Sequence, residues 1–205
     1  VLEMLRVGLT GGLASGKSFV GETLRELGCF LVKADELGHS VLLPGGEAYE
    51  EVIREFGRGI LDEEGRIDRR RLGGLVFDNP ERLERLSAII HPLVIRREEE
   101  LIAQAEAEDP HGIAVVEAAI LIETGSYRRF QKLILAVCSE AEQIERAMRR
   151  DHLSREEVLA RLRRQMPLEE KKKYADYIVD TSGPKEYTVE QTRRVYENLR
   201  RLASS

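Results

Sequence analysis

Only two cysteines occur in this 205-residue chain. Cys29 and Cys138 stand far apart and form neither a Cys-x-x-Cys pair nor a disulfide ladder. That excludes a stapled secreted scaffold and suits buried thiols in a reducing compartment. No apolar run approaches the ~20 residues needed to cross a bilayer. The N-terminus has no basic flank ahead of a long apolar stretch, so no secretion signal is expected, and Val1-Leu2-Glu3 reads as an addition ahead of a start at Met4. A basic excess is also missing. The chain has 37 acidic and 32 basic residues and a formal net charge of -5, which argues against a general nucleic-acid binder. The asparagines are Asn79 and Asn198, and neither begins the Asn-Lys-x-Asp motif of a guanine-nucleotide switch. His39, His111 and His152 lack metal-ligand spacing. What remains is a cytoplasmic protein with 42% hydrophobic residues, enough for a sizeable core. Its length suits one compact α/β unit with an insertion or lid better than two independent domains.

Residues 5–9 form a short strand-like run that enters Thr10-Gly11-Gly12-Leu13-Ala14-Ser15-Gly16-Lys17-Ser18. A helix pattern follows, with Val20, Leu24 and Leu27 on one face and Gly28 as its stop. Residues 29–32 read as a second strand ending at Asp35. Strand, glycine loop, helix and strand make a βαβ unit, hence a parallel sheet with a right-handed crossover. The next good strand begins at Ile113, too far on for a structureless loop in a compact domain. The intervening segment is helix-rich, with Leu83, Leu86, Ile90, Leu93 and Val94 on one stripe that His91-Pro92 interrupts. Alternation resumes with an apolar run at 113–122 broken by Glu117 and a strand at 133–137. Capping-box spacing at 139–142 predicts a helix with Ile144 and Met148 inward, and the same signal at 154–157 predicts a helix to about Arg164. A strand at 177–179 precedes a helix capped at 188–191, with Val195, Leu199 and Leu202 inward. The expected fold is a P-loop NTPase-type α/β fold: a parallel five-stranded sheet with flanking helices, a helical substrate-binding insertion and a helical lid. The expected division is a nucleotide-binding core of 4–35, 112–138 and 174–205, an insertion of 36–111, and a lid with flanking helices at 139–173.

Gly11-x4-Gly16-Lys17-Ser18 is the phosphate-loop pattern, between a strand and a helix as that motif requires. Its glycines let backbone N–H groups converge on phosphate oxygens, and the helix N-terminus adds its positive end. Gly12, Leu13, Ala14, Ser15, Gly16, Lys17, Ser18 and Phe19 are therefore expected to hold a nucleoside triphosphate. Lys17 reaches the β- and γ-phosphates, and the Ser18 hydroxyl ligates Mg²⁺. Asp35, at a strand end, is placed to take a proton from an acceptor hydroxyl; the alternative is a helix N-cap for 36–42. Glu117 is expected in the Mg²⁺ shell or in a structural pair with a cation. Arg146 and Arg150 share a helical face, with Arg161, Arg163 and Arg164 on the next helix. Such arginines can close over a nucleotide and neutralise charge on a transferring phosphoryl group. Residues 139–173 hold ten basic and eight acidic residues, a balance of only +2, so most of these charges are ordinary surface. His91 by itself reads more readily as a core histidine than as a ligand.

Taken together these residues resemble the dephospho-coenzyme A kinase family over about 7–183. The resemblance rests on the phosphate loop, Ala34-Asp35 with His39, and Asp62-Glu-Glu-Gly-Arg-Ile-Asp68-Arg-Arg-Arg-Leu72 followed by Val76-Phe77. It also rests on His91-Pro92, the run from Glu117 to Glu123, Arg146 to Asp151 with Arg161 and Gln165, and Ala175 to Asp180 with Ser182-Gly183. It implies transfer of the ATP γ-phosphoryl group to the ribose 3'-hydroxyl of dephospho-coenzyme A, the last step of coenzyme A synthesis. Lys17, Asp35 and Arg150 then become catalytic, and Asp35, His39, His91 and Glu117 substrate-side. Arg146, Arg161, Ser182 and Gly183 join the nucleotide contacts, and Ser18 and Glu117 hold the metal. Partners are ATP, Mg²⁺ and dephospho-coenzyme A, with no nucleic acid and no membrane. Four positions depart from the family pattern: Ala14 replaces a glycine, Lys33 an aspartate, Ala119 a proline and Thr181 an asparagine. The competing readings are another P-loop small-molecule or nucleoside kinase and a regulatory P-loop NTPase.

Overall fold

The computed structural model describes residues 3–204; Val1, Leu2 and Ser205 lie outside the described residues. In chain order the elements are β1 (Leu5–Gly11), α1 (Lys17–Glu26), β2 (Phe30–Lys33), α2 (Ala34–Ser40), α3 (Tyr49–Phe56), α4 (Arg69–Val76) and α5 (Pro80–Glu108). They continue with β3 (Ile113–Glu117), β4 (Lys132–Val137), α6 (Glu140–Asp151), α7 (Arg155–Arg164), α8 (Leu168–Lys171), β5 (Tyr177–Asp180) and α9 (Lys185–Ala203). The chain divides into two compact units, one running to Lys33 and resuming at Ile102, the other covering Ala34–Leu101.

In the first unit five strands pair in the order β2-β3-β1-β4-β5, every neighbour parallel. β1 lies in the middle, with Leu9 opposite Glu117 on β3 and Ile134 on β4. A parallel sheet covered on both faces requires near-continuous apolar strands, and β3 and β4 supply them: Ala114, Val115, Val116, Ile134 and Leu135 have no exposed surface. On one face Val20 and Leu24 of α1 and Leu199 of α9, all fully buried, pack on Val7, Leu9 and Val115. Truncating Leu24 or Leu199 to alanine would cost about 2–5 kcal/mol. Gly8 leaves room on the other side, since a Cβ there would stand 2.9 Å from the Phe130 ring. Gly28 ends the turn after α1 with φ +111, as its position predicted.

The second unit is helical. Val41, Ala48, Val52, Ile60, Leu72 and Val76 form its core, with Leu86, Ile89, Ile90 and Leu93 of α5 packed against them. Asp62 accepts hydrogen bonds from the N–H groups of Glu64 and Arg66, and Leu61 bridges Ile67, so the Asp62 to Ile67 stretch is a tight turn. Asp68 then caps α4 by accepting from the N–H groups of Arg70 and Arg71.

Several expectations need correcting. β2 ends at Lys33, so Asp35 lies in the first turn of α2 and not on a strand. Glu117 is the last residue of β3 and does not interrupt it. His91-Pro92 does not break its helix either: α5 is 29 residues long with Pro92 inside. An internal proline removes one hydrogen bond and costs about 3 kcal/mol, but Val94, Ile90 and Leu93 are anchored around it. Leu83, at 48% exposed, is off that apolar stripe. α9 begins at Lys185 rather than near Thr188, which is buried inside the helix. Met148 and Leu202 face outward, and Ala147 and Ala203 take the buried positions.

Candidate functional site

The turn from β1 into α1 carries the most demanding backbone in the chain. Gly16 has φ +82, and Ala14 takes φ +52 with a side chain. Ala14 therefore holds the left-handed conformation that a glycine would adopt without strain. A Cβ on Gly16 would stand 2.8 Å from Thr181 Oγ1, and one on Gly11 would collide with Ser15. α1 has no acidic residue in its first turn. Its first N–H groups lack intrahelical partners, so they and the helix dipole present a positive end that no acidic residue of its own first turn offsets. Lys17 opens that helix.

Glu117 comes from the end of β3, 6% exposed. The exposed Ser18 donates its hydroxyl hydrogen bond to Glu117 Oε1 at 2.6 Å. Glu117 Oε2 is buried with no hydrogen-bond partner among the described residues, 3.0 Å from where a Cβ of Gly21 would sit. An orphaned carboxylate oxygen next to a hydroxyl is a hard-oxygen donor set. It fits Mg²⁺, which usually takes only one or two protein oxygens beside water and phosphate. Lys33, opposite Glu117 in register, pairs with Glu22 of α1 at 2.6 Å. Among the described residues no three His, Cys, Asp or Glu side chains gather as a metal site.

Two glutamines grip the loop. Gln165 Oε1 accepts from the Leu13 N–H at 3.0 Å, and Gln143 Nε2 donates to the Leu13 carbonyl at 2.8 Å. Gln143 lies mid-α6 in no motif, so no sequence signal marked it. Thr181, just past β5, was marked only as a departure from an expected asparagine, and no motif signalled its contacts. Its buried hydroxyl donates to the Ser15 carbonyl at 2.6 Å and receives a hydrogen bond from Arg146 Nη1 at 3.0 Å. Arg146 also donates to the Thr181 carbonyl at 2.7 Å. Arg146 therefore reaches the loop through Thr181.

Ser182 and Gly183 follow directly. Ser182 hydrogen-bonds the Glu142 carboxylate and, with Arg146, Ser139 and the Gly183 N–H, holds it below the usual carboxylate range. Arg150 forms a two-point pair with Asp151 at 2.7 and 2.8 Å and is 59% exposed. That pair keeps Asp151 low, with charge from Arg161 and His152 adding to it. Phe19 lies 5.3 Å beneath the Lys185 ammonium. A cavity of about 420 Å³ opens on Gly12 and Ser15 and extends past Cys138, Gln143, Gln165 and Lys171.

The second unit holds Asp35, His39 and His91. Asp35 and His39 are i,i+4 neighbours on α2, both exposed. Partial desolvation and the charge of Arg69, whose guanidinium is 3.5 Å from His39 Nδ1, favour neutral imidazole at His39, opposed by Asp35 and Glu36. Gly38 of α2 packs against Val94, one turn from His91 on α5. His91 is half-buried, and desolvation lowers its pKa.

A model of the dephospho-CoA kinase family matches residues 5–186 of the chain. The dephospho-CoA kinase of Aquifex aeolicus (strain VF5) is 44% identical over 198 residues, covering 97% of this chain and 99% of its own. The crystal structure of a Thermus thermophilus protein superposes with a TM-score of 0.83 at 35% identity, covering 96% of this chain and 98% of that one. The structure of dephospho-CoA kinase from Campylobacter jejuni gives 0.61 at 27% identity, covering 95% and 96%. Among the described residues no helix is long and apolar enough to cross a membrane.

Proposed function

We propose the following division of labour from the premise that the chain belongs to the dephospho-CoA kinase family. The protein phosphorylates dephospho-CoA with ATP and so completes coenzyme A. Gly12 to Phe19 hold the ATP phosphates through backbone N–H groups, and Lys17 neutralises the β- and γ-phosphates. The single observation that carries this reading is the phosphate loop coupled to Ser18 and Glu117, a hydroxyl–carboxylate pair 2.6 Å apart at the head of α1. Ser18 and Glu117 would hold Mg²⁺, which when bound neutralises charge on the phosphate oxygens.

Asp35 orients the ribose 3'-hydroxyl and takes its proton as the phosphoryl group leaves ATP. His39 and His91, on helices of one unit, bind the coenzyme A precursor, with residues 36–111 as the substrate-binding insertion. Residues 139–173 act as the lid. An exposed pair such as Arg150–Asp151 is worth about 1 kcal/mol or less. A charge-assisted contact to a phosphoryl group is stronger, so Arg150 exchanges Asp151 for phosphate when the lid closes, with Arg161 beside it. Arg146 acts indirectly, by fixing Thr181. Closure excludes water, which would compete with the ribose hydroxyl as acceptor. The two free buried thiols suit a reducing cytoplasm.

The test is purified protein with ATP, Mg²⁺ and dephospho-CoA, with ADP release coupled to a readout and the product identified by mass and by ³¹P NMR. A ribose 3'-phosphomonoester is expected, with turnover lost in EDTA. No phosphorylated product at saturating substrates would overturn the assignment.

A further inference from the structure

Residues 171–173 are three consecutive lysines, but their environments differ. Lys173 is exposed and Lys172 pairs with Glu169 on the surface. Lys171, the last residue of α8, is 2% exposed. Its ammonium lies 2.8 Å from Glu123 Oε1, in the turn that follows β3. Burying an ammonium costs several kcal/mol, and one carboxylate partner seldom returns more than that. As a packing device, an apolar side chain would serve as well.

The ammonium's position suggests another role. Lys171 lines the same cavity of about 420 Å³ as Gly12 and Ser15 of the phosphate loop. Ser15, itself 2% exposed, has a hydroxyl with no hydrogen-bond partner among the described residues. An ammonium carries three N–H donors, and among the described residues this one is ion-paired with Glu123. Beside the N-terminal half of the loop, the cavity is thus lined by a buried lysine that a carboxylate holds in place.

We propose that Lys171 is a further phosphate-facing cation of this site, donating to the terminal phosphoryl group of ATP during transfer, with Glu123 as its positioning residue. The inference rests on the kinase reading above and adds a residue to it. A fixed cation stabilises the charge that develops on the transferring group without reorganising. Glu123, paired with it at 2.8 Å, holds the ammonium in place.

The experiment compares Lys171→Met, Lys171→Arg, Glu123→Gln and the double variant Lys171→Met/Glu123→Gln, the last leaving no unpaired carboxylate should Lys171→Met fold poorly. Removing one such donor is expected to lower kcat by about 10²-fold. Affinity for ATP should weaken by more than affinity for ADP, and Lys171→Arg should recover part of the loss. Glu123→Gln should give an intermediate kcat, and the double variant should match Lys171→Met. Three results would overturn the proposal: kcat within a few-fold of the unaltered enzyme in a folded variant, equal loss of ATP and ADP affinity, or a change confined to KM for dephospho-CoA. If the unaltered enzyme makes no coenzyme A, the kinase reading fails. The ATP-to-ADP affinity ratio tests Lys171 independently of that outcome.

Discussion

Thr181→Val removes one hydroxyl and keeps the shape of the side chain. That hydroxyl has a single proton and two carbonyls within reach, Ser15 at 2.6 Å and Val137 at 3.2 Å. Val137 already accepts from the Thr181 N–H at 2.8 Å, so the proton belongs to Ser15. Valine leaves the Ser15 carbonyl without this buried partner, which costs about 1–3 kcal/mol. Arg146 loses one acceptor but retains the Thr181 carbonyl, and at 27% exposed it regains water, so its share is small. The sum is about 2 kcal/mol, or roughly 4–8 °C in Tm for a chain of this length.

The functional effect has a separate cause. The Ser15 carbonyl and the Gly16 N–H belong to one planar peptide, so fixing the first fixes the direction of the second. Freeing that plane turns a phosphate donor away, and KM for ATP should rise about tenfold, the equivalent of 1.4 kcal/mol. Thermal melts and steady-state kinetics check both figures, with Thr181→Ser as the control that retains the hydroxyl. A Thr181→Val enzyme with Tm within about 1 °C and unchanged KM for ATP would refute the reasoning.

Asp35→Asn should lower kcat by about 10²–10⁴-fold while ATP binding, measured by calorimetry, stays intact. Near-normal kcat would remove the carboxylate from the chemistry. His91 has a lowered pKa because burial disfavours its cation. The unfolded chain therefore takes up this proton first, and stability should decline as pH falls below the ordinary value of 6.5 toward the lower folded value. Urea melts between pH 7.5 and pH 5, which span that ordinary value roughly centrally, should show a shallower decline in His91→Gln. Cys29 is pushed up to about 12 from 9.0 by burial, and burial also raises Cys138. Neither thiol should react with a disulfide reagent at mildly alkaline pH until urea unfolds the chain; fast labelling of the native protein would contradict this.

The phosphate loop was legible because its chemistry is local. Glycine spacing, the following Lys17-Ser18 and the flanking strand and helix all lie within a short stretch, and backbone sterics decide the rest. The α7 boundaries were legible for the same reason: Ser154 and Glu157 satisfy each other's backbone N–H groups whatever surrounds them. Misreadings came where burial overrides a local signal. Pro92 reads as a helix breaker, but the apolar packing of α5 carries the helix through it. Thr188 reads as a cap, but it is buried inside a helix that starts at Pro184-Lys185.

The order of glycines, Lys17 and Ser18 by itself determined a phosphate-loop turn at the start of the first helix, and the alternation of apolar runs determined a parallel sheet. Tertiary structure alone decided which distant groups meet there. Glu117 arrives from β3, Thr181 from the end of β5, and Gln143, Gln165 and Lys171 from the helices after β4, all in one unit. Short-range backbone preferences are written residue by residue. The partner of a buried hydroxyl or ammonium depends on which strands lie side by side, and no local spacing encodes that.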